Sequence, residues 1–204
     1  MTPKLVLVTD RDATGGRDLC DVVAAALDAG LPAVQLRDRD LSGRALFALA
    51  ERLRSLTATR GAILLVNDRV DVAVAVGADG VHLGGGSMPV EVVRPLLPPG
   101  ALIGVSTHAA TECAATTADF AFFGPVFATP SKARYGAPQG IERLREATAG
   151  ASVPVLAIGG VTAAAVPAVR AAGAAGVAVI RAVLAADDPG DATCALLAAV
   201  GDRS

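Results

Sequence analysis

The sequence has few of the features that mark secreted, zinc-binding or membrane proteins. Its three cysteines, Cys20, Cys113 and Cys194, are far apart and form no CxxC pair, which argues against a disulfide framework or a zinc site. The formal net charge is only −2 over 204 residues, so no bulk charge attracts nucleic acid or a membrane surface. Glycine or charge interrupts every long apolar segment, and residues 1–10 lack the pattern of a signal peptide. We therefore expect a reduced, cytoplasmic protein that binds neither nucleic acid nor membranes.

The chain does contain a regular alternation of short apolar runs and Ala/Leu-rich helical runs. Hydrophobic residues make up 52% of it, enough for a sizeable core. The apolar runs are continuous, as expected for parallel strands that are covered on both faces. Eight such units in one domain, residues 1–204, predict an α/β fold, the single-domain (β/α)8 TIM barrel. The candidate strands are Leu5–Thr9, Ala33–Leu36, Ala62–Val66, Gly80–Leu83, Leu102–Ser106, Phe120–Phe123, Val155–Ile158 and Val177–Ile180.

Helix-boundary signals support this organisation. Ser42 is a predicted N-cap for an amphipathic helix, and Thr162 is predicted to start another over 163–172. Gly77 and Gly173 each end a helix just before a candidate strand. An open doubly wound sheet is the alternative fold, but it usually has a glycine-rich first turn, and here the first strand leads into Asp10.

Catalytic residues of such barrels collect at the C-terminal ends of the strands, so the residues there are the candidates. Arg37 and Arg39 follow the second strand, and guanidinium groups match phosphate oxygens. Taken alone, these arginines are better interpreted as a solvated loop paired with Asp38 and Asp40. After the third strand, Asp68 could bind Mg²⁺, or Asn67-Asp68 could cap the next helix.

The fourth and fifth strands end in further polar residues. His82 lies inside an apolar run, so a satisfied core histidine is a better interpretation than a base. Ser87 could cap a helix that begins near Pro89. Ser106 lies at the expected rim, and His108 could transfer a proton or, the favoured interpretation, act in capping or packing.

The last three strands lead into segments suited to an anion. Residues 124–132 contain two prolines that exclude a helix, together with Thr129, Ser131 and Lys132. Gly160 and Arg181 follow the seventh and eighth strands, where these barrels recurrently bind phosphate. The sequence therefore predicts a local anion site on a protein without bulk positive charge.

The ordered motifs resemble the thiamine phosphate synthase and thiazole tautomerase (TenI-type) superfamily. The similarity runs from about Leu7 to Leu184, nearly the whole chain. The motifs are QLRDR (35–39), VNDRVD (66–71), GADGVHL (77–83), GVSTH (104–108), GPVFATPSK (124–132), AIGG (157–160) and GVAVI (176–180).

The resemblance implies a transferase of thiamine biosynthesis that joins a phosphorylated pyrimidine and a phosphorylated thiazole with the help of Mg²⁺. It implies that Asp68 binds the metal and that Arg37, Ser106 and Lys132 are the catalytic residues. By the family pattern, Gln35, Arg37, Arg39, Asn67, Ser106 and Lys132 contact the pyrimidine pyrophosphate, whereas Thr129 to Ser131, Gly160, Ile180 and Arg181 hold the thiazole phosphate.

The chain departs from the synthase pattern at four positions. Arg39 replaces a lysine, Ser131 a threonine and Arg181 a serine, while Ser87 replaces the second aspartate ligand of Mg²⁺. Arg-x-Arg and the Gly86-Ser87 pair favour the tautomerase branch. Against that branch, Pro125 occupies the position of its acid/base histidine, and Asn67-Asp68 replaces its Asn-Gly. The synthase is the favoured interpretation; a tautomerase and a non-catalytic thiazole-phosphate-binding protein remain alternatives, and a homo-oligomer is left open.

Overall fold

Eight short parallel strands pair in the order of the sequence and close into a barrel. The computed structural model describes residues 2–129 and 137–201. Closure is completed between the first strand and the last, where Val6 aligns with Ala178. The strands are β1 (Leu5–Val8), β2 (Ala33–Leu36), β3 (Ile63–Asn67), β4 (Gly80–Leu83), β5 (Leu102–Thr107), β6 (Phe120–Phe123), β7 (Val155–Ile158) and β8 (Gly176–Val179).

The helices of the described residues lie between and after these strands, which confirms the predicted (β/α)8 barrel. None of them is both long and apolar enough to cross a bilayer. They are α1 (Leu19–Asp28), α2 (Gly43–Ala58), α3 (Val70–Ala75), α4 (Val90–Val93), α5 (Ala110–Ala115), α6 (Gly140–Gly150), α7 (Val166–Ala171), α8 (Arg181–Leu184) and α9 (Pro189–Val200).

The helix-boundary predictions had mixed outcomes. Ser42 caps α2, its hydroxyl accepting the N–H of Ala45, as predicted. The helix predicted over 163–172 was wrong in extent, because a 3-10 turn at Ala163–Ala165 precedes α7 and Thr162 makes no side-chain cap. Pro167 explains the late start, since proline is tolerated only in the first turn of a helix.

Strand residues alternate between two apolar environments. One face of each strand packs against the surrounding helices, for example Leu5 and Leu7 of β1. The other face fills the barrel, where Val6 and Val8 meet Phe120 and Phe122 from across it. Both faces are therefore buried, which explains why the strands are continuously apolar in sequence.

Two aspartates fasten the bottom of the barrel in the same way. Asp79, just before β4, donates its backbone N–H to the Leu64 carbonyl at 2.9 Å, and its carboxylate accepts the Leu64 N–H at 2.7 Å. Asp119, just before β6, accepts the Ile103 N–H at 2.6 Å. Each carboxylate also pairs with an arginine that follows an earlier strand, Arg54 or Arg94. These contacts fix how β4 and β6 enter the barrel.

Among the described residues, the inward-facing rows of the strands end in polar side chains on one side of the barrel top. Gln35, Asn67, His82 and Ser106 continue the inward-facing rows of β2, β3, β4 and β5. The inward-facing row of β6 ends instead with Phe122, and that of β7 with Ile158. The mouth of the barrel thus has a polar half on β2 to β5 and an apolar half on β6 to β8.

Candidate active site

A chain of hydrogen bonds links the ends of β2 and β3. Gln35 Nε2 donates to Asn67 Oδ1 at 3.0 Å, and Asn67 Nδ2 donates to Asp68 Oδ2 at 2.7 Å. Because the carboxylate can only accept, it fixes the orientation of the Asn67 amide, which in turn fixes that of Gln35. Gln35 Oε1 is left buried and without a partner among the described residues. A ligand amino group would satisfy this acceptor.

Asp68 extends the chain into the loop after β4. Its Oδ1 accepts the Gly84 N–H at 3.2 Å and the hydroxyl of Ser87. Its φ of 59° lies in the left-handed region, which aspartate tolerates better than most residues. Strained backbone of this kind is typical of functional sites.

The capping interpretations of this loop region were wrong. The N-cap position of α3 is Arg69, without a side-chain cap, and that of α4 is Pro89. Asn67, Asp68 and Ser87 bond instead to one another, so their polar atoms face a shared site rather than helix ends.

The described residues contain no cluster of three or more His, Cys, Asp or Glu side chains that could hold a metal. Asp68 is thus a single carboxylate with a hydroxyl, Ser87, beside it. Mg²⁺ is commonly bound by one or two carboxylates, water and substrate phosphates, so this donor set fits a metal that arrives with a phosphorylated ligand.

His82 is buried in the floor of the polar half. Its Nε2 lies 3.0 Å from Ser106 Oγ, and its ring packs on Phe122 with centroids 4.2 Å apart. Burial lowers the pKa of His82 from 6.5 to about 3; the charge of Asp68 opposes this shift and that of Arg37 adds to it. The ring is therefore neutral at physiological pH, and its burial confirms a core histidine, although it is not fully satisfied, because Nδ1 has no partner among the described residues.

The depressed pKa of His82 predicts a pH-dependent stability. Between about pH 6.5 and pH 3 the unfolded chain protonates this histidine and the folded chain does not, so stability falls as the pH falls. Relative to His82→Leu, the wild type should lose on the order of 1 kcal/mol of unfolding free energy per pH unit below about 6. Urea unfolding of both proteins from pH 7 to pH 4 measures this difference. A difference in unfolding free energy that stays constant from pH 7 to pH 4 would contradict the lowered pKa of His82.

The arginines after β2 are placed by contacts with β1 and the loop after it. Thr9 Oγ1 accepts the Arg37 N–H at 2.9 Å and donates to the Arg37 carbonyl at 3.3 Å. Asp38 pairs with Arg11, and Arg39 is exposed and makes no ion pair within the described ranges 2–129 and 137–201. The interpretation in which Arg39 pairs with Asp38 or Asp40 was therefore wrong, and none of the described carboxylates occupies its guanidinium.

The segment after β6 lies against the end of β7. Val126 and Phe127 donate their N–H groups to the Ile158 and Gly159 carbonyls, both at 2.9 Å. His108 packs on this segment, its Nδ1 lying 2.6 Å from the Gly124 carbonyl, which supports the packing role predicted for it. Thr129 ends the described part of the segment, and the predicted site residues Ser131 and Lys132 lie outside the described residues.

Gly160 has a steric reason to be glycine. Its φ is 66°, and a Cβ at this position would stand 2.6 Å from the Ala128 carbonyl oxygen. The close approach of the segment after β6 to the end of β7 therefore depends on the missing side chain.

We expect Gly160→Ala to lower the free energy of unfolding by more than about 1 kcal/mol, because the left-handed backbone and the Ala128 contact both oppose a methyl group. Gly150→Ala is a matched control, since Gly150 has open space around it and no positive φ. Denaturant unfolding of both variants measures the effect. Equal stability of the two variants would show that the loop contact does not constrain Gly160.

Ile180 and Arg181 stand at the start of α8, where the phosphate pocket is predicted. Ile180 is the N-cap residue. Arg181 is exposed and lines a surface cavity of about 490 Å³ with Asp12, Thr14 and Asp187. Within the described ranges Arg181 makes no ion pair.

Three contributors to this site were not anticipated. Thr9 accepts a hydrogen bond from the Arg37 N–H, and Arg11 forms an ion pair with Asp38. Gly104 leaves space for His82, whose Nδ1 would lie 2.6 Å from a Cβ at that position. A threonine at the end of the first strand is the only one of these signals visible in the sequence. The other two are contacts between distant parts of the chain.

These features define a class of protein, a closed parallel barrel whose mouth places the Asp68 carboxylate beside the amides of Gln35 and Asn67, with exposed arginines in the loops around it. A family model described as thiamine monophosphate synthase matches residues 5–183. The chain belongs to this family.

Individual relatives agree with that assignment. A protein of Geobacter sulfurreducens named "Putative thiamine-phosphate synthase" is 52% identical, over 98% of this chain and 95% of the relative. "Thiamine-phosphate synthase" of Roseiflexus castenholzii is 46% identical, over 97% and 88%. The solved structure "Thiamine phosphate pyrophosphorylase from Pyrococcus furiosus" superposes with a TM-score of 0.87 at 36% identity, covering 98% of this chain and 96% of that one.

Proposed function

We propose that the protein is an enzyme of thiamine biosynthesis that condenses hydroxymethylpyrimidine pyrophosphate with thiazole phosphate to give thiamine phosphate and pyrophosphate. The observation that carries this proposal is the hydrogen-bonded set Gln35, Asn67 and Asp68 at the polar half of the mouth. This set places Gln35 Oε1, an acceptor for an amino group, close to the Asp68 carboxylate, which suits a metal bound to a phosphate. The names of the relatives support the same reaction.

The reaction is a substitution at the methylene carbon of the pyrimidine. The bond from this carbon to the pyrophosphate oxygen breaks, and its electron pair leaves with the pyrophosphate. The thiazole nitrogen then supplies its lone pair to the resulting carbocation and becomes a thiazolium. No proton moves in this balance, so the protein's task is to hold both substrates and to stabilise charge on the leaving group.

The polar half of the mouth suits the pyrimidine pyrophosphate. In this proposal Gln35 Oε1, the buried acceptor without a partner, takes the amino group of the ring. Arg37, Arg39 and Ser106 donate to the pyrophosphate, and their donors become more effective as negative charge builds there. Asn67 holds Gln35 and Asp68 in place, and Lys132 is assigned to the same leaving group by its motif.

The half of the mouth on β6 to β8 suits the thiazole phosphate, because the loops that follow these strands can hold its phosphate group. Gly160, Ile180 and Arg181 follow β7 and β8, Thr129 follows the segment packed against the end of β7, and Ser131 is assigned to the same phosphate by its motif. The exposed guanidinium of Arg181 would supply the charge that a phosphate requires. With the two substrates held in opposite halves of the mouth, the thiazole nitrogen would face the pyrimidine methylene carbon.

Asp68 would hold Mg²⁺ in this proposal, with Ser87 beside it. When bound with the substrate, the metal supplies positive charge that neutralises the departing pyrophosphate. The side chains of Asn67 and Ser87, together with the Gly84 amide, keep the carboxylate in one orientation for that role.

Pro125 argues against the tautomerase alternative. It stands at the end of β6, where that branch has its acid/base histidine, and proline has no proton to transfer. Small phosphorylated substrates and three cysteines without disulfide partners agree with a cytoplasmic protein, which remains a prediction.

The direct test is to incubate the purified protein with both substrates and Mg²⁺ and to quantify thiamine phosphate and pyrophosphate chromatographically. We expect equal amounts of the two products, and a rate at least about tenfold lower for Asp68→Asn. Asp71→Asn is a matched control, because Asp71 is an exposed carboxylate that pairs only with Arg69 in the described residues. Aromatisation of a thiazole carboxylate phosphate without condensation, or binding without turnover, would replace the proposal with one of its alternatives.

A second prediction concerns the metal. We expect Ser87→Asp to destabilise the protein without metal by about 1 kcal/mol, because it sets two carboxylates side by side. Millimolar Mg²⁺ should reverse this loss, since a cation bound only by the folded state stabilises it. Thermal unfolding in chelator and in Mg²⁺ measures both effects, with Ser55→Asp on the exposed surface of α2 as the control. If Mg²⁺ raises the thermal unfolding temperature of both variants equally, the assignment of Asp68 and position 87 to the metal site is wrong.

A further inference from the structure

The contact between His82 and Ser106 determines which way the serine hydroxyl points. Neutral imidazole carries one N–H, so either the histidine donates to Ser106 Oγ or the serine donates to the histidine. The outcome matters for the ligand, because it decides whether the serine proton remains available to an anion.

The surroundings of the other ring nitrogen settle the tautomer. His82 Nδ1 is buried and has no partner among the described residues. It faces Gly104, where a Cβ would stand 2.6 Å from it, and the tilted rings of Phe120 and Phe122 flank the imidazole. An N–H buried without an acceptor is rarer and costlier than a buried acceptor, so the proton belongs on Nε2.

We propose that His82 is a positioning residue whose Nε2–H donates to Ser106 Oγ, so that the serine proton is reserved for the anionic leaving group. This inference rests on the proposed function. Ser106 would otherwise offer either its proton or a lone pair to the ligand, and a lone pair repels an oxyanion. Gly104 leaves the space that this arrangement needs, because a Cβ there would stand 2.3 Å from the Phe120 ring and 2.6 Å from His82 Nδ1.

The tautomer can be read directly in the wild-type protein. The chain has only two histidines, and the structure predicts opposite tautomers for them. His108 Nδ1 lies 2.6 Å from the Gly124 carbonyl, which can only accept, so its proton belongs on Nδ1. At pH 8, ¹⁵N spectra should show Nε2–H for His82 and Nδ1–H for His108. Nδ1–H on His82 would overturn the proposal without touching the proposed reaction.

A double-mutant cycle tests the consequence for catalysis. With Ser106 present, His82→Leu should lower kcat about tenfold, with a smaller change in KM, because the donor acts on charge that develops in the transition state. In a Ser106→Ala background the same change should lower kcat less than about twofold, since no hydroxyl remains to orient. His82→Gln, which can place an N–H near the Nε2 position, should recover most of the loss.

The outcomes separate this inference from the proposed function. Equal effects of His82→Leu in both backgrounds would mean that the histidine acts through packing alone, and would overturn the proposal. Should His82→Leu fail to fold, the wild-type ¹⁵N spectra still decide the tautomer, and His82→Gln, which keeps an N–H donor, should retain most of the wild-type kcat. A wild-type protein that makes no thiamine phosphate would instead refute the function and leave the tautomer test standing.

Discussion

The pairing of β1 with β8 is the contact on which the candidate site depends. It turns eight short strands into a ring, so that their C-terminal ends form one rim. Without it, Arg37, Asp68 and Ser106 on one side would have no fixed relation to Gly160 and Arg181 on the other. The carboxylates of Asp79 and Asp119 fasten the opposite end of the ring and fix how two of its strands enter.

Within this ring, the sequence departs from a purely apolar interior on four successive strands. Burying Gln35 and His82, and partly burying Asn67 and Ser106, is costly unless their polar atoms are paired, and most of them are. The exceptions are Gln35 Oε1 and His82 Nδ1, the only buried side-chain nitrogen and oxygen atoms without a partner within the described ranges. The first suits a ligand amino group and the second identifies the tautomer, so both exceptions bear on function.

Much of the fold could be predicted from the sequence, because strands that are apolar throughout must be covered on both faces, and few folds other than parallel α/β folds do this. All eight predicted strands were confirmed, with ends that differ by at most a residue or so, as is usual for such boundaries. The membership of the family was also predicted from ordered motifs and confirmed. The helix after Thr162 is shorter than predicted, because Pro167 is tolerated only in the first turn of α7.

Local capping rules failed at Asn67, Asp68 and Ser87, where contacts between separate loops replaced the expected caps. The pairing of Asp38 with Arg11 was equally hidden, since it joins two different loops. The most direct test of the account is a crystal structure with Mg²⁺, pyrophosphate and thiamine phosphate. It should show pyrophosphate and metal at Asp68, Arg37 and Ser106, with the thiazole phosphate at Gly160 and Arg181. Pyrophosphate at Gly160 and Arg181, or metal remote from Asp68, would contradict the division of the mouth into two substrate halves.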